Sequence, residues 1–240
     1  MKILQVPTSQ GSFGANIGCE KAPVLICPEA EIINLPQDNI EEANRILEKT
    51  DGDFFIGGDH SITYPLFKSF TSKHKNPCLV IFDAHADCSD DFMPPTHEDF
   101  NKVLINQGIL DPENLFLIGL RKVYGNEEKF LKEKNIKFIE MQDIPAAEEL
   151  IRQIREFSKD KDLYLSIDID VLDKKFAPGT GYVEESSGMG LDYLVETLKN
   201  IKDSVKEGDL VELNPDKDIE NKTVGAGKRI VEIFKNSNGL

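Results

Sequence analysis

The ten residues from Phe82 to Asp91, FDAHADCSDD, place four carboxylates and one imidazole directly behind the apolar run CLVI. Acids this crowded repel one another, so a chain that gathers them at the end of a buried segment must neutralise them. In DAHAD the residues Asp83, His85 and Asp87 stand two positions apart, and Asp168 and Asp170 in DID repeat the spacing. On an extended backbone each set points to one side. Two other apolar runs end in the same manner, FFIGGDHS with His60 and LVELNP with Glu212. If Asp83, Asp87, Asp168 and Asp170 converge with His60 and His85, their four negative charges are balanced by two divalent cations. An oxygen-rich set with some imidazole suits Mn2+ better than a structural Zn2+. Cys88, inside the acidic stretch, is the thiol placed to neighbour a metal.

The elements that must position these residues alternate along the chain. Apolar, β-branched or aromatic runs read as strands at KILQV, DFFIG, CLVIFD, NLFLIGL, KFIEM, DLYLSIDID and DLVELN. Helical spacing occupies 39–49, 62–73, 127–135, 146–158, 190–203 and 222–236. Strands alternating with helices are βαβ units, which predict an α/β architecture of three layers, αβα, around a mostly parallel sheet. With 240 residues, 40% of them hydrophobic, and no repeat, low-complexity block or linker, one domain over 1–240 is expected. Such sheets bind ligands where strand ends turn into loops, and there the acids and imidazoles fall. Plainer uses are expected for several polar residues: Asp59 as a helix cap, Asp90 and Asp173 as turn acids, His74 as solvated surface.

A formal net charge of −15 and a pI near 4.7 oppose contact with nucleic-acid phosphates or anionic lipid, and no basic patch offsets them. No run approaches the ~18 consecutive apolar residues of a membrane helix. The start MKILQVPTSQ has too short an apolar stretch for a signal peptide, so a cytoplasmic protein is expected. Cys19, Cys27, Cys78 and Cys88 lack CxxC spacing, which favours reduced thiols over a disulfide framework.

In order along the chain, GCEKAP, GGDHS, FDAHAD, IGLR, SIDIDVLD with APGTG, and VELNP resemble the motifs of the ureohydrolase family, which includes arginases and agmatinases. The resemblance covers most of the chain. It implies an arginase-like fold, two Mn2+ per chain, a homo-oligomer (trimer or hexamer), and hydrolysis of a small guanidino substrate to an amine and urea. Carried over motif by motif, His60, Asp83, Asp87 and Asp168 would hold one manganese, and Asp83, His85, Asp168 and Asp170 the other, with Asp83 and Asp168 bridging. A water shared by two metals loses a proton near neutral pH, and the resulting hydroxide attacks the guanidinium carbon. His97 matches the histidine that protonates the departing amine, a task suited to an ordinary pKa near ~6.5. Glu212 resembles the glutamate that accepts two parallel N–H bonds from the guanidinium. His97, Asp87 and Glu212 are therefore the expected catalytic residues.

Departures from the family's pattern concern the substrate's head. Where arginases place an acid near the α-amino group this chain has Tyr124, with Lys122 in the earlier position. Ser89 and Met93 stand where an asparagine and a serine surround the α-carboxylate, and Glu98 replaces the glycine after the histidine. Glu212, Ser89 and Tyr124 are the expected substrate contacts, and agmatine is favoured over L-arginine. After GTG, however, the chain reads YVEESSG rather than the agmatinase-like TPEPGG. Arginase or formiminoglutamate hydrolase activity, a metal-binding member without turnover, and a single-zinc amide hydrolase akin to histone deacetylases are the alternatives. Urea release separates the first reading from the last two.

Overall fold

The computed structural model describes residues 1–121, 123, 125–182 and 187–235. Among them eight strands form one sheet: β1 (Ile3–Val6), β2 (Glu31–Ile32), β3 (Phe54–Gly57), β4 (Pro77–Phe82), β5 (Leu115–Leu120), β6 (Lys137–Glu140), β7 (Asp162–Asp168) and β8 (Val205–Val211). The order is β2-β1-β3-β8-β7-β4-β5-β6, with every pairing parallel. The helices are α1 (Ala22–Ile26), α2 (Ile40–Leu47), α3 (Thr63–Lys73), α4 (Phe100–Asn106), α5 (Gly125–Glu133), α6 (Ala147–Phe157), α7 (Leu191–Ile201) and α8 (Lys222–Lys235).

A parallel sheet with both faces covered needs strands that are apolar on both sides, which explains the unbroken hydrophobic runs. β4 turns Cys78, Val80 and Phe82 toward one layer and Leu79 and Ile81 toward the other. The first layer is closed by Leu150 and Ile154 of α6, Leu194 and Leu198 of α7, and Ile230 and Phe234 of α8. The second is closed by Leu47 of α2, Phe67 and Phe70 of α3, Phe100 of α4 and Leu131 of α5. Each fully buried side chain of this size contributes about 1.5–3 kcal/mol. The result is the expected three-layer αβα fold.

Three elements escape the periodicity reading, β2, α1 and α4, because two, five and seven residues are too short to display a period. The strand expected at DLVELN lies instead at Val205–Val211. Lys206 and Glu207 disguise its first half, yet Glu207 is nearly buried beside Lys73 Nζ at 3.3 Å while Val205 pairs with Leu163. β7 stops at Asp168, two residues short of the expected end.

Candidate metal centre

The strands β3, β8, β7 and β4 are successive neighbours, and Ile56 opposite Leu210, Asp168 opposite Val211, and Phe82 opposite Ile167 bring their ends level. The loops leaving them carry His60, Glu212, Asp168 with Asp170, and Asp83 with His85 and Asp87. Three of these loops share one device, an aspartate that accepts the backbone N–H two residues on. Asp59 Oδ1 accepts from Ser61 at 2.9 Å, Asp83 Oδ1 from His85 at 2.6 Å, and Asp168 Oδ1 from Asp170 at 2.8 Å. Asp59 thus caps the tight turn His60–Ile62, as expected, and its Oδ2 also accepts Gly11 N–H at 3.0 Å. Gly58 before it lies against the Thr8 carbonyl, which would stand 1.8 Å from a Cβ at that position. The extended backbone expected at DAHAD and DID is corrected here: Ile169–Val171 is a 3-10 turn, and Asp87 is left-handed at φ 49°. The acids converge through capped turns, not through strand alternation.

Convergence is nonetheless close. His60 Nδ1 faces Asp87 Oδ2 at 3.0 Å, Asp83 Oδ2 at 3.1 Å and Asp168 Oδ2 at 3.3 Å. His85 Nδ1 lies 3.0 Å from Asp170 Oδ2 and 3.5 Å from Asp83 Oδ1. Among the described residues two donor groups each suit one cation, His60 with Asp83 and Asp168, and Asp83 with His85 and Asp170; in each the donor atoms lie within 4.8 Å of one another. Asp83 belongs to both. His60 Nδ1, Asp83 Oδ2 and Asp87 Oδ2 are buried without a hydrogen-bond partner. Carboxylates crowded this closely in a buried site are costly unless cations neutralise them, so the residues present fit a pair of divalent metals.

Protons compete for the same space. Burial opposes charge on both imidazoles, but Asp168, Asp83 and Asp87 push His60 well above its ordinary pKa, and Asp170 and Asp83 do the same to His85. Burial and the neighbouring Asp83 raise Asp87 to about 8, and burial and Asp170 lift Asp168 well above the carboxylate range. Asp83, despite burial, is held below that range by the two imidazoles.

A cleft of about 220 Å³ opens on the cluster, lined by His85, Asp87, Ser89, His97, Glu98, Glu127, Asp168, Asp170, Tyr182 and Glu212. Among the described residues no lysine or arginine lines it. His97 is steered by its backbone N–H to Gly11 O at 3.1 Å, and its Nδ1 lies 3.2 Å from Glu212 Oε1. Although burial works against the charge, Glu212 raises His97 to about 9. Glu98 Oε1 stands 3.9 Å from His97 Nε2 and accepts the Tyr182 hydroxyl at 3.2 Å, while the Tyr182 ring stacks on the imidazole at 6.2 Å. Glu212 sits at φ 66°. Its Oε1 accepts His60 N–H at 2.7 Å and its Oε2 accepts Asn16 Nδ2–H at 2.6 Å. Burial notwithstanding, His97 holds it below the ordinary glutamate range. With Oε1 already facing two donors, two parallel bonds to a guanidinium require His97 to withdraw.

The other expected residues are placed as follows. Ser89 lines the cleft, its hydroxyl donating to Glu98 O at 2.9 Å. Met93 is 64% exposed, accepts from Gln107 Nε2 at 3.2 Å, and is not among the residues that line the cleft. Tyr124 and Lys122 lie outside the described residues. His74 is not solvated surface: its ring packs on Phe70 at 4.1 Å and Nδ1 is 3.6 Å from Asp162 Oδ1. Asp173 accepts the N–H groups of Lys175 and Gly188, as a turn acid. Cys88 belongs to neither donor group; it is buried with Sγ 3.2 Å from Ala86 O, and burial pushes its thiol well up. Sequence reasoning missed Asn16, Glu127 and Tyr182. Glu127, buried on α5 and accepting Cys88 N–H at 3.1 Å, has the same residue type as the neighbouring Glu128, so only packing distinguishes them. Asp209 was also missed, although an acid within the apolar run of β8 was a visible signal.

The arginase family model matches residues 14–234. An arginase from Staphylococcus aureus (strain MRSA252) is 30% identical over 228 residues, covering 85% of this chain and 74% of that protein. An agmatinase from Bacillus subtilis (strain 168) is 28% identical over 198 residues, covering 81% and 67%. The crystal structure of formimidoylglutamase from Bacillus subtilis superposes with a TM-score of 0.88 at 21% identity, covering 97% of this chain and 85% of that one. The three carry different substrate names, while the fold is common to this chain and the solved structure.

Proposed function

Because the chain belongs to the arginase family, we propose that this hydrolase acts as one catalytic domain that cleaves agmatine, or a similar guanidino compound without an α-carboxylate, to an amine and urea. The observation that carries the substrate choice is the cleft's charge: Glu98, Glu127 and Glu212 line it, and among the described residues no lysine or arginine is present to pair a carboxylate. A substrate positive at both ends suits that lining, whereas a buried unpaired carboxylate is penalised. Two Mn2+ ions, held by His60, Asp83, Asp87 and Asp168 and by Asp83, His85, Asp168 and Asp170, would supply Lewis acidity and a water made nucleophilic near neutral pH.

The chain's own residues do the rest. Glu212 holds the guanidinium through Oε2, with Oε1 becoming available as His97 moves toward the leaving nitrogen. His97, kept protonated by Glu212, delivers the proton that the departing amine requires. Tyr182 covers the imidazole and narrows the approach. Four free, buried cysteines support a reducing cytoplasm, and no described helix is long and apolar enough to cross a membrane. The assembly proposed is a trimer or hexamer, to be measured by sedimentation. Incubating the manganese-loaded protein with agmatine, L-arginine and formiminoglutamate, and measuring urea and formamide, tests the function. Agmatine should exceed arginine in kcat/KM by ~10-fold or more. A higher value for arginine removes the substrate choice and leaves the hydrolase reading. No product from any of them favours a metal-binding protein without turnover.

A further inference from the structure

Four buried hydroxyl and carboxyl side chains form one hydrogen-bonded group that reaches His60 at Nε2, the ring nitrogen other than the one facing the acids. Asp209 of β8 accepts three hydroxyl protons: Ser166 Oγ at 2.6 Å on Oδ1, and Tyr164 Oη at 2.7 Å and Thr63 Oγ1 at 2.9 Å on Oδ2. Ser166 Oγ in turn lies 2.8 Å from His60 Nε2. Thr63, Tyr164, Ser166 and Asp209 are fully buried, so these side chains must satisfy one another.

We propose that Asp209 and Ser166 are positioning residues that fix the tautomer of His60, leaving its Nδ1 bare for a metal. The inference rests on the metal-centre reading above. It follows from counting protons. Ser166 has one, and the carboxylate takes it, so the serine oxygen can only accept from His60, and Nε2 must carry the imidazole proton. A neutral imidazole has a single N–H, which leaves Nδ1 with its lone pair toward Asp83, Asp87 and Asp168. The opposite tautomer sets two lone pairs against each other at 2.8 Å and places an N–H where a cation belongs. A carboxylate behind a ligating histidine also raises the ligand's basicity. His85, the other imidazole of the cluster, has no part in this serine–aspartate chain, so the effect belongs to one metal of the two.

Titrating metal-free protein with Mn2+ against a competing chelator, with free Mn2+ followed by electron paramagnetic resonance, tests this without recourse to activity. In Ser166→Ala one of two Mn2+ ions should bind ~10–100-fold more weakly and the other within about threefold of wild type. The Ser166→Ala/Asp209→Asn double variant should lose no more than the larger single effect, because both act through one nitrogen. Tyr164→Phe and Thr63→Val, which remove the other donors to Asp209 and leave Ser166 in place, should keep both affinities within about threefold. An unchanged Ser166→Ala, equal weakening of both ions, additive losses in the double variant, or the same loss from Tyr164→Phe overturns the inference while two ions in the wild type preserve the metal-centre reading. A wild-type protein that binds no Mn2+ overturns the metal-centre reading itself.

Discussion

At the scale of single residues, the contact between His97 and Glu212 sets what each can do. The folded pKa of His97 is raised to about 9 from an ordinary 6.5, so the favourable pairing is fully present below 6.5 and is lost as pH rises through about 9. If His97 is the proton donor, kcat should fall along an alkaline limb near pH 9, and His97→Asn should lower kcat by ~10²–10⁴-fold with metal content intact. An unchanged rate would hand the task to water or to Glu98. Glu212→Gln replaces a charge-assisted acceptor by a neutral amide, and turnover of every guanidino substrate should weaken by ~1.5–3 kcal/mol in apparent transition-state stabilisation. Asp83 is the acid shared by both donor groups, so Asp83→Asn should remove more than one metal equivalent and Asp170→Asn about one, as counted by elemental analysis after gel filtration. Equal losses would show that Asp83 does not bridge.

At the scale of elements, the site is a set of turns mounted on strand ends. The spacing of DAHAD and DID was legible, but its extended-strand explanation was not the one the chain uses, because a carboxylate two residues before a free N–H closes a turn more readily than it prolongs a strand. The third such turn, at Asp59, holds two loops at once through Ser61 N–H and Gly11 N–H, and Gly11 O in turn receives the N–H of His97. Asp59→Ala leaves both buried N–H donors without their acceptor, at a cost of about 1–3 kcal/mol each. A lower melting temperature by calorimetry, together with weaker Mn2+ binding since His60 begins the turn, is the expected outcome; unaltered metal affinity would mean that the turn does not position His60.

At the scale of the whole molecule, cations and protons occupy the same central cluster, so metal binding and folding are linked. Loading Mn2+ at neutral pH should release protons, because His60, His85, Asp87 and Asp168 all favour their protonated forms in the metal-free protein. Calorimetric titration in two buffers of different ionisation enthalpy counts them, and affinity should fall as pH falls. Free metal at ~100 times its Kd should add about 2.7 kcal/mol to stability, and chelator should reverse the gain; proton-neutral binding would argue against this cluster as the metal site. What the sequence alone determined was local: apolar runs long enough to be buried strands, the helices between most of them, and the acids and imidazoles that follow four of those runs, since residue type and short spacing carry that information. Only the tertiary structure decided that β3, β8, β7 and β4 are neighbours with level ends, that Asn16 and His97 meet Glu212, that Asp209 reaches His60 through Ser166, and that Glu127 faces the cleft rather than solvent. Those contacts join residues 43 to 196 positions apart, and strand order, register and crossover bring them together through packing of the whole core, which no short window of sequence contains.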